Sequence, residues 1–232
     1  MNEHQQALLA RWQQLREELP ASVSLLAVSK YAPDAAVELL IAAGQRQFGE
    51  SRPQQLRDRA VRWPVCDWHM IGPLQKNKAK YVARAAAMWH SCDDLEIARA
   101  VAKHVVGRQL PVLVQINIGG VAGQRGIAPA QLHDFVGALD QLQTLRMAGL
   151  MCMAPRSGDD AVAEAFQQMR QLRDRLQSTR SATEQLLLCM GMSGDYRLAI
   201  EAGSEMVRIG SSLFGDWDVR CSSQEVLCNN CE

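Results

Sequence analysis

Apolar positions along the chain follow two alternating periods. Leu8, Leu9, Trp12 and Leu15 recur at helical spacing in a polar opening that stops near Pro20, which predicts one amphipathic helix. The period then changes. Residues 22–29 (SVSLLAVS) form a short, branched, apolar run followed by Pro33, Asp34 and a helical stretch through Ala43, so a strand precedes a helix. Further runs of strand type lie at 47–49, 67–71, 88–91, 112–117, 146–151, 185–190 and 205–209. Helical segments at 94–106, 129–139, 159–176 and 195–202 fill gaps between them, the last opening on Asp195 as an acidic cap.

Eight β/α repeats are the count for a closed parallel barrel. A doubly wound sheet usually has fewer strands and a Gly-rich fingerprint after the first, where this chain reads SKYAPDA. The expected fold is α/β, a (β/α)8 TIM barrel with an additional N-terminal helix. No Pro/Gly/Ser linker, internal repeat or low-complexity tract interrupts the units. The expected organisation is a helix over 1–20, a barrel over 21–217 and a flexible, Cys-containing tail over 218–232.

Composition narrows the function classes. At 232 residues and 47% hydrophobic the chain can bury a large core, and 25 Lys+Arg against 25 Asp+Glu leave no net field to attract nucleic acid or an anionic membrane. No apolar run approaches the ~20 residues of a spanning helix, and the polar opening is unlike a secretory signal. A cytoplasmic monomer with a small ligand is expected. Cys66, Cys92, Cys152 and Cys189 stand singly among apolar neighbours and read as reduced core thiols. Cys221, Cys228 and Cys231 lie in the tail, the last two as CNNC. No second pair or nearby His completes a four-ligand metal site there, so no metal is expected.

In such a barrel the chemistry gathers where strands end. Lys30 follows the first strand; Gly49, Glu50 and Ser51 the second; His69, Gly72 and Gln75 the third; Ser91 and Asp93 the fourth. Asn117 follows the fifth, Met151 and Met153 the sixth, Met192 and Ser193 the seventh, and Arg208, Gly210 and Ser211 the eighth. A lysine closing an apolar strand is either a rim residue with its head in water or a nucleophile consumed in a Schiff base. The loops after strands seven and eight (MGMSGD and VRIGSSLFG) favour the second, because they stand where barrels bind phosphate and Gly210, Ser211 and Ser212 offer N–H and hydroxyl donors. An imine-forming amine opposite a phosphate cradle is what pyridoxal 5'-phosphate requires. Arg208, inside the apolar run MVRIGSSLF, is the candidate neighbour of the pyridine nitrogen, where a fixed cation weakens the ring as an electron sink.

The runs LLAVSKYAP, FGES, DWHMIGPLQKNKAK, HSCDDLEIA, GLMCMAP, MGMSGDYRLAI and GSEMVRIGSSLFG, spread between about Leu25 and Gly215, resemble the pyridoxal-phosphate homeostasis proteins. Those are single barrels similar to the N-terminal domain of alanine racemase. The resemblance implies that Lys30 carries the cofactor as an internal aldimine, with Ser193, Gly210 and Ser211 near the phosphate and Arg208 facing the ring nitrogen. Ser51 and Met192 complete the expected cofactor contacts. The resemblance also implies a protein that buffers the cofactor and delivers it to apo-enzymes, without established turnover.

Three positions depart from the family pattern. FGES replaces FGEN, so Ser51 stands where an amide would reach further. The strand-five loop, INIGGVAGQRGI, has Val121 and Gln124 in place of a Glu and a Lys, with Arg125 one residue later, so any ion pair those two positions make is expected to be missing. Glu205 takes a Thr or Asn slot, where a carboxylate either repels phosphate or points outward. Other motifs carry plainer expectations. His69, between Trp68 and Met70, reads as a hydrogen-bonded wall residue; QKNKAK reads as a solvated face; and Met147, Met151, Met153, Met190 and Met192 read as barrel filler.

Two further functions compete. An amino-acid racemase or decarboxylase would use the same Lys30 but needs a second acid/base on the other cofactor face, which racemases of this type bring as a tyrosine from an added β domain. Tyr31, Tyr81 and Tyr196 all lie within barrel units. A sugar-phosphate enzyme without the cofactor would need rim carboxylates or metal ligands, and Glu50 and Asp93 are the candidates.

Overall fold

The eight expected strands are β1 (Ser24–Val28), β2 (Gln47–Glu50), β3 (Asp67–Met70), β4 (Met88–Cys92), β5 (Leu110–Ile116), β6 (Leu145–Cys152), β7 (Leu187–Cys189) and β8 (Met206–Ile209). They pair in chain order, all parallel, and β8 returns to β1 to close a barrel. Their ends differ from the sequence expectation by one or two residues. The computed structural model describes residues 1–181 and 183–217. The expected tail at 218–232, with Cys221, Cys228 and Cys231, lies outside the described residues.

Helices α1 (Glu3–Glu18), α2 (Asp34–Ala42), α3 (Pro53–Arg62), α4 (Ala79–Ala85), α5 (Leu95–Ala102), α6 (Leu132–Asp140), α7 (Asp159–Gln177), α8 (Tyr196–Glu201) and α9 (Ser211–Phe214) surround it. Asn2 and Gln5 form a capping box that starts α1. That helix then ties the two ends of the chain together: the Trp12 indole donates to Gln45 at 3.0 Å, and Arg11 Nε donates to the Leu213 carbonyl at 2.8 Å. Two helices differ from the periodicity. Asp94 caps α5 as a helix-starting side chain should, but the helix stops at Ala102 instead of 106, where the chain tightens into a turn with the His104 N–H donating to the Val101 carbonyl at 2.9 Å. Asp195 does not cap α8; its carboxylate accepts from the Met192 N–H at 2.6 Å and so folds the preceding loop.

Apolar side chains separate into two layers. One lies between sheet and helices, and a smaller one, including Leu26, Leu113, Ala148, Met151, Cys189 and Met206, fills the barrel axis. The four single cysteines within the described residues are buried and unpaired, as expected. Among the described residues no helix is long and apolar enough to cross a membrane, and no His, Cys, Asp and Glu group is set out to hold a metal.

A polar chain crosses the barrel axis. His69 on β3 is the hydrogen-bonded wall residue expected, with its Nδ1 2.8 Å from His90 Nε2. His90 Nδ1 in turn lies 3.5 Å from Cys189 Sγ on β7. Burial lowers the pKa of His69 to about 4 and holds that of His90 well below its ordinary value, helped by neighbouring His69 and Arg208. Both rings are neutral near pH 7, and one N–H between them suffices.

Unfolding frees both imidazoles to take up protons at the ordinary pKa of about 6.5, so the unfolded state binds more protons than the folded one between that value and about 4. The pair's contribution to stability is therefore complete above that window and is lost as pH falls through it, by at most about 1.4 kcal/mol per pH unit for one His. Thermal melts between pH 7 and pH 4.5 should show a falling Tm with a shallower slope in His69→Gln. Parallel slopes in the two proteins would contradict this account.

Candidate functional site

Strand β1 ends at Val28, and Ser29 and Lys30 enter a turn closed by the Ala32 N–H donating to the Ser29 carbonyl at 2.9 Å. Lys30 is half-buried, with its Nζ 5.2 Å from the centroid of the Tyr31 ring. It borders a cavity of about 640 Å³ at the C-terminal mouth of the barrel. Lys30, Ser51, Met192, Ser193, Arg208, Gly210 and Ser211 all line this one space. The structure thus brings together every residue that the sequence singled out as a cofactor contact.

The wall that adjoins the Lys30 turn through the β1–β8 pairing is built from the ends of β7 and β8. Gly191 has φ of +89°, and a Cβ there would lie 2.7 Å from that of Ala199, so only glycine lets the loop turn down onto α8. The turn presents Met192, Ser193 and Gly194 to the cavity. Ser193 Oγ accepts from the Ser212 N–H at 3.2 Å, joining the β7 loop to the first turn of α9. Backbone N–H groups at a helix start and two serine hydroxyls make this wall a donor surface suited to an anion.

Arg208 forms the floor. Its side chain is buried, with Nη2 donating to the Cys152 carbonyl at 2.8 Å and Nη1 to the Cys189 carbonyl at 3.2 Å and its sulfur at 3.5 Å. Among the described residues no carboxylate pairs with it, so backbone dipoles hold a cation at the base of the cavity. Burial pushes the Cys152 thiol up to about 12 and also raises that of Cys189, against the pull of Arg208.

Several lining residues were not singled out from sequence. Ile71 and Pro73 flank the expected rim residue Gly72 in the β3 loop, while Gln115 is a buried amide on β5 that donates to the Arg125 carbonyl at 3.1 Å. The signal for Gln115 was available, because an amide interrupts the apolar run VLVQINI. His90, which lies beneath the floor, offered only an isolated His between Trp89 and Ser91.

The geometry resolves two of the departures from the family pattern: Val121 and Gln124 make no ion pair, and Glu205 points away from the donor wall. The strand-five loop does hold an ion pair: Arg125 reaches Asp93 with two bonds, Nη2 to Oδ1 at 2.5 Å and Nε to Oδ2 at 2.9 Å, and the Gly126 N–H joins at 3.1 Å. A long guanidinium one position later compensates for the missing lysine. Glu205 precedes β8 and so sits at the opposite end of the barrel, where it accepts from the Leu188 N–H at 3.0 Å and from Arg173 at 3.2 Å. It does not face the donor wall. Glu50 and Asp93, the carboxylates a sugar-phosphate enzyme would need, do not line the cavity.

The family model for the alanine racemase N-terminal domain matches residues 4–218. The pyridoxal phosphate homeostasis protein of Vibrio cholerae is 38% identical over 226 residues, spanning 93% of this chain and 94% of its own. That of Escherichia coli is 38% identical over 208 residues, 86% of this chain and 88% of its own. PipY of Synechococcus elongatus, solved with PLP bound, is similar at a TM-score of 0.81 and 34% identity, covering 90% of this chain and all of PipY. Alanine racemase from Clostridium difficile shares the fold at a TM-score of 0.73 and 14% identity, and there the match covers 55% of the racemase chain. Because likeness in sequence runs through most of both chains, where the racemase shares only a fold, this protein belongs to the pyridoxal phosphate homeostasis protein family, which is built on the alanine racemase N-terminal domain.

Proposed function

We propose that this protein binds pyridoxal 5'-phosphate through Lys30 and serves its homeostasis in the cytoplasm, holding the cofactor as a monomer and handing it to apo-enzymes without turning over amino acids. One observation carries the reading: a single cavity collects an amine, a donor wall and a buried cation, and among its described lining residues there is no Asp, Glu, His, Cys or Tyr. The residues fit the group. Its volume is within the ~300–1,000 Å³ usual for small-molecule sites, and Val28, Ile71, Met151 and Met153 supply apolar walls for a planar ring. When bound, the group supplies an aldehyde that condenses with a lysine amine, forming a C=N link and releasing water.

Lys30 supplies that amine. Ser193, Gly210 and Ser211 hold the anion, Arg208 presents a fixed positive charge to the ring nitrogen, and Ser51 and Met192 close the sides. The PLP-bound PipY structure and the names of the relatives support the same reading. The shared fold of alanine racemase and of lysine decarboxylase from Selenomonas ruminantium keeps an enzyme as the competing reading. Against it, Tyr196 donates to Glu18 at 2.6 Å, and Tyr81 packs beneath Arg57, Lys78 and Lys80. Tyr31 adjoins Lys30 itself.

Borohydride reduction of the protein with pyridoxal phosphate, followed by peptide mapping, should place the adduct on Lys30. An adduct found only on Lys76, Lys78 or Lys80 would overturn the assignment.

Ser193→Ala should weaken pyridoxal phosphate by roughly tenfold, the worth of one hydrogen bond to an anion, and pyridoxal far less. Gly210→Glu should discriminate in the same direction by bringing a negative charge to the donor wall. Equal losses for the two ligands, measured by titration, would remove the phosphate from this wall.

Incubation of the loaded protein with L-alanine and other amino acids in deuterated water should give α-proton exchange, D-isomer and carbon dioxide no faster than free cofactor. A rate well above that, lost in Lys30→Ala, would establish an enzyme. Reactivation of an apo-enzyme by the loaded protein would support delivery.

A further inference from the structure

We infer that Arg59, which does not line the cavity, is the positioning residue for Lys30, holding the turn that carries the lysine from the side facing α3. The inference rests on Lys30 being the cofactor lysine. Arg59 Nη1 donates to the Ser29 carbonyl at 2.9 Å, and Nη2 donates to the Ala32 carbonyl at 2.6 Å. Those two carbonyls bracket Lys30 and Tyr31. One planar guanidinium therefore grips both ends of the four-residue turn, a task its rigid fork suits.

The guanidinium is itself anchored. Nη1 also donates to Glu50 Oε1 at 2.6 Å, Ser29 Oγ donates to the same oxygen at 2.5 Å, and Nη2 reaches Asp34 Oδ1 at 3.2 Å. Ser29, Glu50 and Arg59 are all buried, and Glu50 Oε2 has no hydrogen-bond partner. Burial raises the Glu50 pKa while Arg59 and Ser29 pull it down. Such a pair is an expensive way to join β2 and α3, since well-packed apolar side chains would join them as well. What apolar side chains cannot provide is a set of N–H donors aimed at two carbonyls of the β1 turn. A lysine side chain is long and has many rotamers, so the placement of its amine in the cavity depends on a fixed backbone beneath it.

Arg59→Met alone would leave Glu50 as an unpaired buried charge, so the test uses Arg59→Met/Glu50→Gln, with Arg59→Lys as a second variant that keeps the charge pair but loses the fork. In protein without cofactor, hydrogen exchange over 29–34 should accelerate in each folded variant while exchange over 110–116 stays unchanged. Appearance of the visible absorption band after mixing with pyridoxal phosphate should slow by about tenfold in the double variant, and several-fold in Arg59→Lys, with the trapped adduct still on Lys30. Wild-type exchange together with a wild-type rate in whichever variant folds would overturn the inference. Accelerated exchange over 29–34, with wild-type protein that never labels at Lys30, would keep the clamp and overturn the cofactor assignment it serves.

Discussion

Pairing of the last strand with the first is the constraint on which the site depends. Ser24, Leu25, Leu26 and Ala27 of β1 stand in register with Met206, Val207, Arg208 and Ile209 of β8. That register does more than remove the two sheet edges. It makes Leu26 and Arg208 neighbours on one inward face and brings the next residues, Val28 and Gly210, together at the mouth, where a Cβ on Gly210 would lie only 3.3 Å from that of Val28. Because the strands are parallel, the turn bearing Lys30 and the donor wall after β8 emerge at the same end. Chain positions 30 and 210 thus share a wall of one cavity through a pairing with no local signature.

The same closure determines the electrical character of the floor. Arg208 is a cation held by carbonyls, His69 and His90 are kept neutral by burial, and the thiols of Cys152 and Cys189 are kept protonated by it. Neither the histidines nor the thiols change state near neutral pH. The floor thus holds a fixed positive charge among groups that are neutral near pH 7.

Much of this was legible in the sequence because barrels obey a positional rule: residues that follow strands share one rim. Eight apolar runs located the rim, and reading the next residues found Lys30, Ser51, Ser193, Arg208, Gly210 and Ser211. What the sequence hid were pairings between units. Arg59 sits in PQQLRDRAVR, a stretch that looks like a solvated helix face, and nothing local says that its guanidinium turns back under β1. Arg125 and Asp93 lie on different β/α units, so nothing local announces the ion pair between them. Sequence leaves open whether Glu205 repels phosphate or points outward, and its place before β8, away from the cavity, decides for the second.

The proposed carrier role asks for a firm grip combined with release, and the arrangement offers different parts of the chain for the two demands. Grip comes from buried elements: Arg208 beneath the cavity, and Arg59 and Glu50 beneath the turn. Release depends on the rim, where Lys30 is half-buried, Met192 is 38% exposed and the donors of Ser193 and Ser211 stand at the surface of a short helix and a glycine-rich loop. Under the proposed function, a cofactor held at such a rim would lie within reach of water or of a second amine, and its retention would depend on the anion contacts.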